Sequence, residues 1–180
     1  MKTFVLFFII ILAACSHVPV PVPVPDGYRM NRYKAPVPDH VPGAQTINIK
    51  QAVHLKEKGA IFIDVIGSGK FLTKSRKGGW MSVKPHTSIP GSYWLPDVGR
   101  GALTPDQNTY FEKALAQLSS QNKQTKLIFF CLKSCWMSWN GAKRAASLGY
   151  KSVHWLADGK DGWQDAGHPL AEITPFSIKK

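Results

Sequence analysis

Two stretches set the strongest limit on what this chain can become. Ala60-Ile61-Phe62-Ile63-Asp64-Val65 and Lys126-Leu127-Ile128-Phe129-Phe130 are apolar almost without interruption. A strand with one face in water alternates apolar and polar side chains. Runs that are apolar on both parities therefore predict strands buried on both faces, as in a parallel sheet covered by helices on each side. The intervening text supplies the helices. Asn48 is placed to cap a helix in which Ile49, Ala52, Val53 and Lys56 share a face and which Gly59 ends. Thr104-Pro105-Asp106-Gln107 is a capping-box pattern with proline at the first helical position, followed by an apolar face of Tyr110, Phe111, Ala114, Leu115 and Leu118. A helix over 138–148, stopped by Gly149, has Ala142, Ala145 and Ala146 for close packing. Ser92–Leu95 and Ser152–Leu156 read as further strands, and Asp161–Ala166 as a short last helix. Strands alternating with helices predict an α/β domain with a mainly parallel central sheet flanked by helices, whose ligands bind beyond the carboxyl ends of the strands.

The amino-terminal text is of another kind. One lysine and the short apolar run Phe4–Leu12 are too short to span a bilayer as a mature helix but suit an export signal. Leu12-Ala13-Ala14-Cys15 resembles the box at which lipoprotein signal peptidase cuts once lipid is attached to the thiol. Residues 1–14 are then the signal peptide and Cys15 the lipid attachment site. Ser16, where an aspartate would mark the inner membrane, favours the outer one, with the domain facing the periplasm. Residues 15–25 contain the repeat Val18–Pro25, in which every second residue has a fixed φ and no N–H donor, so neither a helix nor a sheet interior can form. At about 3.1 Å per residue this extended tether would hold the domain about 25 Å from the lipid. Residues 26–46, with Tyr28, Met30 and Tyr33, are expected to be an arm lying along the domain, which itself occupies 47–172 and is followed by a tail, 173–180. The length left after export suits one domain.

The formal net charge of +12 falls by one with the loss of Lys2, and the excess favours anionic lipid, an acidic partner or small anions. Nucleic acid is excluded by the compartment. The stretch from Gly67 to Pro85 holds Lys70, Lys74, Arg76, Lys77 and Lys84 without an acid, and reads as a long basic loop that covers the site, docks a partner or is simply solvated.

With Cys15 committed to lipid, Cys131 and Cys135 are the thiols of the folded part, in a compartment where disulfides persist. The run Cys131-Leu132-Lys133-Ser134-Cys135-Trp136-Met137 joins a strand to a helix N-terminus, where backbone N–H groups and the helix dipole favour an anion. Such a loop, with Lys133 adding charge, favours the Cys131 thiolate below the ~8.5 of a free thiol and can hold a persulfide or an oxyanion. Cys135 is close enough in sequence to attack a species formed on Cys131. Lys133, Ser134, Trp136 and Ser138 are the candidate substrate-binding residues around the pair. A structural disulfide clipping the loop, or two inert core thiols, is the alternative reading of the same residues.

Ile63-Asp64-Val65, Ile89-Pro90-Gly91-Ser92, Leu95-Pro96, Ile128–Cys131, Ala145–Tyr150, Val153, Leu156, Gly159 and Trp163 follow the order of landmarks in rhodanese domains, a resemblance spanning about 47–170. Cys131–Arg144, with Pro90-Gly91-Ser92 and Val98–Leu103, resembles more narrowly the exported rhodanese-like proteins named for PQQ-dependent catabolism and a CXXCW motif. The resemblance implies Cys131 as a sulfur-accepting nucleophile with loop amides around the transferred sulfur. It also implies Asp64, Pro90 and Gly91 as structural residues near the site, a periplasmic partner in a PQQ-dependent dehydrogenase system, and no cofactor. The chain departs from rhodaneses at Ile66, where an arginine is usual, and at Ser88, where a histidine usually precedes Ile-Pro-Gly. Cys135, Trp136 and Trp139 replace small and basic residues in a loop one residue longer. The second cysteine points to a persulfide or sulfenate on Cys131 that Cys135 resolves as a disulfide, or to dithiol exchange. Cys-x3-Cys also resembles exported copper-delivery proteins of thioredoxin fold, with His86 or His154 as a third ligand. A non-catalytic binding module using the basic loop and the tryptophans is the remaining alternative.

Overall fold

The computed structural model describes residues 21–179 except 71, 75–79 and 83, and for 70–83 the backbone only. The signal segment 1–14, Cys15 with its lipid, the first part of the Val-Pro tether and most side chains of the basic stretch lie outside the described residues.

Five strands form one parallel sheet: β1 (Gln45–Ile47), β2 (Ile61–Asp64), β6 (Tyr93–Trp94), β7 (Leu127–Phe130) and β8 (Val153–Leu156), in the order β1-β8-β7-β2-β6. The helices are α1 (Ile49–Glu57), α2 (Pro105–Leu118), α3 (Trp136–Ser147) and α4 (Gly159–Asp165). Two antiparallel pairs stand apart from the sheet, β3 (Leu72–Lys74) with β4 (Trp80–Ser82) and β5 (His86–Ser88) with β9 (Ala171–Ile173).

The unbroken apolar runs have the predicted cause. Ile63, Leu127, Phe129, Val153 and Trp155 meet Phe111, Ala114 and Leu115 of α2 and Trp139, Ala142 and Ala145 of α3 on one face. Phe62, Ile128, Phe130 and Leu156 meet Ala52 of α1 and Trp163 of α4 on the other. Burying each of these large side chains contributes about 1.5–3 kcal/mol, so both parities of a central strand favour the interior. The capping boxes form as read, Asn48 with Gln51 and Thr104 with Gln107, with Pro105 in the first turn of α2.

The differences from the sequence reading are local. α3 begins at Trp136, two residues before the expected start, and α4 at Gly159 rather than Asp161. The stretch read as one basic loop contains β3 and β4, and β1, β5 and β9 carry no sequence signal. Each is three residues long, too short for a period to show, and β1 buries only Ile47. Pairing with a neighbour makes them strands. The sheet thus starts at Gln45, within the stretch read as arm.

Candidate active site

β7 delivers Cys131 to the carboxyl edge of the sheet, and α3 starts immediately after Cys135. The two cysteines form a disulfide, with Cα atoms 6.1 Å apart, and are only 2% and 6% exposed. Closing so short a loop puts Ser134 in the left-handed region, at φ 54°. The start of α4 clasps the loop. Lys160 N–H donates to the Cys131 carbonyl at 2.8 Å, and Lys133 N–H donates to the Asp161 carboxylate at 3.0 Å. Gly159 permits this approach, because a Cβ there would lie 2.3 Å from the Cys131 oxygen and its φ is 58°.

The N-terminal arm covers the other side. Cys135 is the N-cap residue of α3, yet its side chain makes no capping hydrogen bond. The Tyr33 carbonyl accepts the first helical N–H, that of Trp136, at 2.8 Å, and Ala35 N–H donates to the Ser134 carbonyl at 3.2 Å. Lys34 and Cys135 therefore stand opposite each other as a one-residue antiparallel bridge. Lys34 Nζ donates to the Lys133 carbonyl at 2.6 Å and lies 4.0 Å from the Asp161 carboxylate. Trp136 and Trp139 donate their indole N–H groups to the carbonyls of Pro36 and His40, both at 2.9 Å. Asn140 accepts Arg29 N–H and donates to the carbonyls of Arg29 and Gly99, all at 2.9 Å. Lys143 Nζ reaches the carbonyls of Pro25, Asp26 and Gly27, and Arg144 those of Val98, Arg100 and Gly101. Burial pulls the Arg144 guanidinium below its ordinary pKa, and the Tyr28 ring stacks on it at 4.3 Å.

The sequence-derived candidates separate in this geometry. Lys133 is exposed and Ser134 half-buried, at the lip of the loop. Trp136 and Ser138 are buried and tied into the scaffold. Ser138 Oγ donates to the Cys135 carbonyl at 3.0 Å and accepts the Trp155 indole N–H at 3.0 Å. Of the loop amides expected to hold a transferred sulfur or anion, those of Lys133 and Trp136 are already engaged by Asp161 and Tyr33. Asp64 ends β2 in register with Phe130, the residue before Cys131. Its carboxylate accepts Ile66 N–H at 2.8 Å, Ser88 Oγ at 2.5 Å and His86 Nε2 at 2.9 Å. Ser88, at the position that lacks the usual histidine, thus binds Asp64 together with a histidine from two residues upstream. Pro90 and Gly91 make the turn before β6, at the amino end of that strand, whereas Cys131 stands at the carboxyl end of β7.

The copper alternative loses its third ligand. His86 is bound to Asp64, and His154 faces α1 across a cavity of about 350 Å³ lined also by His54 and Leu55. Among the described residues no three metal-ligating side chains come close enough to share an ion.

Sequence reasoning missed Tyr33, Asn140, Arg144 and Asp161. Asn140, Lys143 and Arg144 share a helical face with Trp136 and Trp139, and polar groups on that otherwise apolar stripe were the available signal. Asp161 and the Tyr33 carbonyl carried none.

Residues 48–166 match the sequence model of the rhodanese-like domain. No curated protein matches the chain by sequence. A thiosulfate sulfurtransferase from Pseudomonas aeruginosa shares the fold with a TM-score of 0.51 at 18% identity, over 73% of this chain and 21% of that one. EanB, solved in complex with hercynine, does so with a TM-score of 0.50 at 18% identity, over 78% and 34%. This chain therefore corresponds to a minor part of either protein, and at such identity the likeness is one of fold. The sequence match covers α1 through α4, the elements that bring Cys131 to the edge of the parallel sheet, and on that ground the chain belongs to the rhodanese-like domain family.

Proposed function

We propose that this rhodanese-like domain is a lipid-anchored envelope protein facing the periplasm, whose Cys131 and Cys135 do thiol or sulfane-sulfur chemistry in support of a PQQ-dependent oxidation system. The observation that carries the reading is the disulfide between the two cysteines at a strand end and a helix start. In the reduced protein, Cys131 thiolate takes the outer sulfur of a sulfane donor, and the remainder of the donor leaves as an anion. Cys135 thiolate then attacks Cys131 Sγ of the persulfide, hydrosulfide leaves, and the disulfide forms. A sulfenate on Cys131 is resolved in the same way with loss of water. A thiol or dithiol partner restores the reduced pair. The export signal, the Cys15 box and the narrower motif resemblance support the compartment and the oxidation system.

One observation favours a second reading, a partner-binding module with a structural disulfide: both sulfurs are buried, and the amides of Lys133 and Trp136 are occupied. Trapping separates the two. Reduced protein is exposed to thiosulfate or polysulfide and, in parallel, to iodoacetamide, with adducts mapped by mass. The catalytic reading expects extra sulfur on Cys131 and alkylation faster than that of free cysteine. Absence of both leaves the structural disulfide.

A further inference from the structure

The arm crosses the cysteine loop as a strand would. Its pairing with Ser134–Trp136 consists of Tyr33 carbonyl to Trp136 N–H and Ala35 N–H to Ser134 carbonyl, the two bonds that frame a non-hydrogen-bonded antiparallel pair. Lys34 and Cys135 are that pair. In such a pair the Cα atoms lie about 4.5 Å apart and the side chains leave on the same face. A disulfide joins residues whose Cα atoms are about 4.4–6.8 Å apart, so a cysteine in the register of Lys34 can bridge Cys135 without backbone movement. Recognition by adding a strand to an exposed main-chain edge is a general mode for extended polypeptide, with main-chain bonds for affinity and opposed side chains for selection.

The occupying segment is held at this point by a few bonds. Residues 33–35 contribute the two main-chain bonds, Lys34 Nζ to the Lys133 carbonyl and the Tyr33 hydroxyl accepting Gly101 N–H, while further attachments flank them at Arg29 through Asn140 and at Pro36 and His40 through the two indoles. Lys34 is 66% exposed in its side chain, and Arg32, just before the crossing, sits in the left-handed region at φ 47°. A short crossing with an exposed central residue and half-buried neighbours, beside an unfavourable backbone conformation and anchored on both sides, can lift without loss of the arm.

We propose that the thiol substrate of the cysteine pair is an extended polypeptide segment of a partner protein, which replaces residues 33–35 along Ser134–Trp136 and presents its cysteine in the register of Lys34. This rests on the thiol chemistry proposed above. The partner thiolate attacks Cys135 Sγ, the Cys131–Cys135 bond breaks, and Cys131 leaves as thiolate. A second partner thiolate attacks the partner sulfur of the mixed disulfide, and Cys135 leaves. The partner is oxidised by two electrons to a disulfide, the chain is reduced to its dithiol, and two protons pass from the partner thiols to the solvent or to the released cysteines. The arm is thus a built-in competitor for its own substrate.

The test uses the full chain in its disulfide form and a peptide copying Met30–Val37 with cysteine at the Lys34 position. Its controls are a scrambled peptide with the same cysteine, a copy N-methylated at the Ala35 position, and glutathione. Adducts are mapped by mass. The proposal expects the copy to react at least about tenfold faster than scrambled or N-methylated peptide, with the adduct on Cys135. It also expects Ala35→Pro in the protein, which removes the arm's own donor, to raise the rate with the copy more than the rate with glutathione. In a Lys34→Cys variant equilibrated with glutathione, the introduced thiol should capture Cys135 and leave Cys131 free. Equal rates for copy and scramble, an adduct on Cys131, or an undisturbed Cys131–Cys135 bond in Lys34→Cys overturns the proposal while thiol exchange stands. A disulfide inert to glutathione, dithiothreitol and every peptide overturns the thiol reading itself.

Discussion

Replacing Asn140 by alanine tests whether α3 really holds the arm. The side chain is fully buried, accepts Arg29 N–H, and donates to the carbonyls of Arg29 and Gly99. Three hydrogen bonds at a net contribution of about 1 kcal/mol each set the base of the cost. Leaving the Gly99 carbonyl without this donor adds a part of its desolvation penalty, so the total is about 3–4 kcal/mol. Against a typical domain stability of about 5–15 kcal/mol this is a large loss. For a chain of this size each kcal/mol moves Tm by about 2–4 °C, which places the shift near 10 °C. Thermal and urea denaturation of the full chain measure it. The same variant should free the arm locally, so trypsin should cut after Arg29, Arg32 and Lys34 faster than in the parent under native conditions. Asn140→Asp keeps the acceptor for Arg29 N–H but turns a carboxylate oxygen toward two carbonyls, and should be at least as damaging. A Tm within about 2 °C of the parent, together with unchanged arm cleavage, would refute the reasoning, because it would mean that the three bonds of a buried side chain, two of them to Arg29 in the distant arm, contribute almost nothing.

Two further predictions concern the clasp on the cysteine loop and the far face of the sheet. Gly159→Ala brings a Cβ to 2.3 Å from the Cys131 carbonyl at a φ of 58°. It should cost about 2 kcal/mol or more and speed reduction of the disulfide by dithiothreitol, whereas Gly27→Ala, with nothing within 4 Å, should do neither. Burial pulls the His154 imidazole below its ordinary value of 6.5, with Lys126 acting in the same direction. The folded state therefore binds its proton less readily than the unfolded chain does. Its neutral form favours folding above pH 6.5, and that contribution is lost as pH falls through 6.5 toward the lower folded value. His154→Leu should accordingly flatten the fall of Tm between neutral and mildly acidic pH. Parallel Tm–pH curves for variant and parent would contradict this assignment.

Much of the scaffold could be read without coordinates because its causes are periodic. Leu127–Phe130 is apolar at every position since helices cover both faces of β7, and that requirement is written in the strand itself. The caps Asn48 and Thr104 and the stops Gly59 and Gly149 are local chemistry within a few residues of where they act. The placement of Cys131 at the carboxyl edge follows from the order of strands and helices, and so does the nearness of Cys135. Elements of three residues, such as β1 and β5, have no period to read and depend on the strand beside them.

By itself, then, the sequence determined a parallel α/β domain of the rhodanese-like family with a cysteine pair at the carboxyl edge of its sheet. Only the tertiary structure decided what surrounds that pair. Trp136 and Trp139 are buried in the core, and their indole N–H groups also donate to the carbonyls of Pro36 and His40, about a hundred residues away. His86 and Ser88 share the Asp64 carboxylate, Asp161 takes the Lys133 amide, and the arm caps α3 in place of an N-cap side chain. The physical reason is the same in each case. A main-chain carbonyl or N–H is present at nearly every residue, so a bond made by the backbone of Tyr33 or Ala35 leaves no trace in side-chain identity. The periodic burial that builds the sheet is encoded locally, whereas the choice of backbone that closes over Cys135 exists only once distant segments have met.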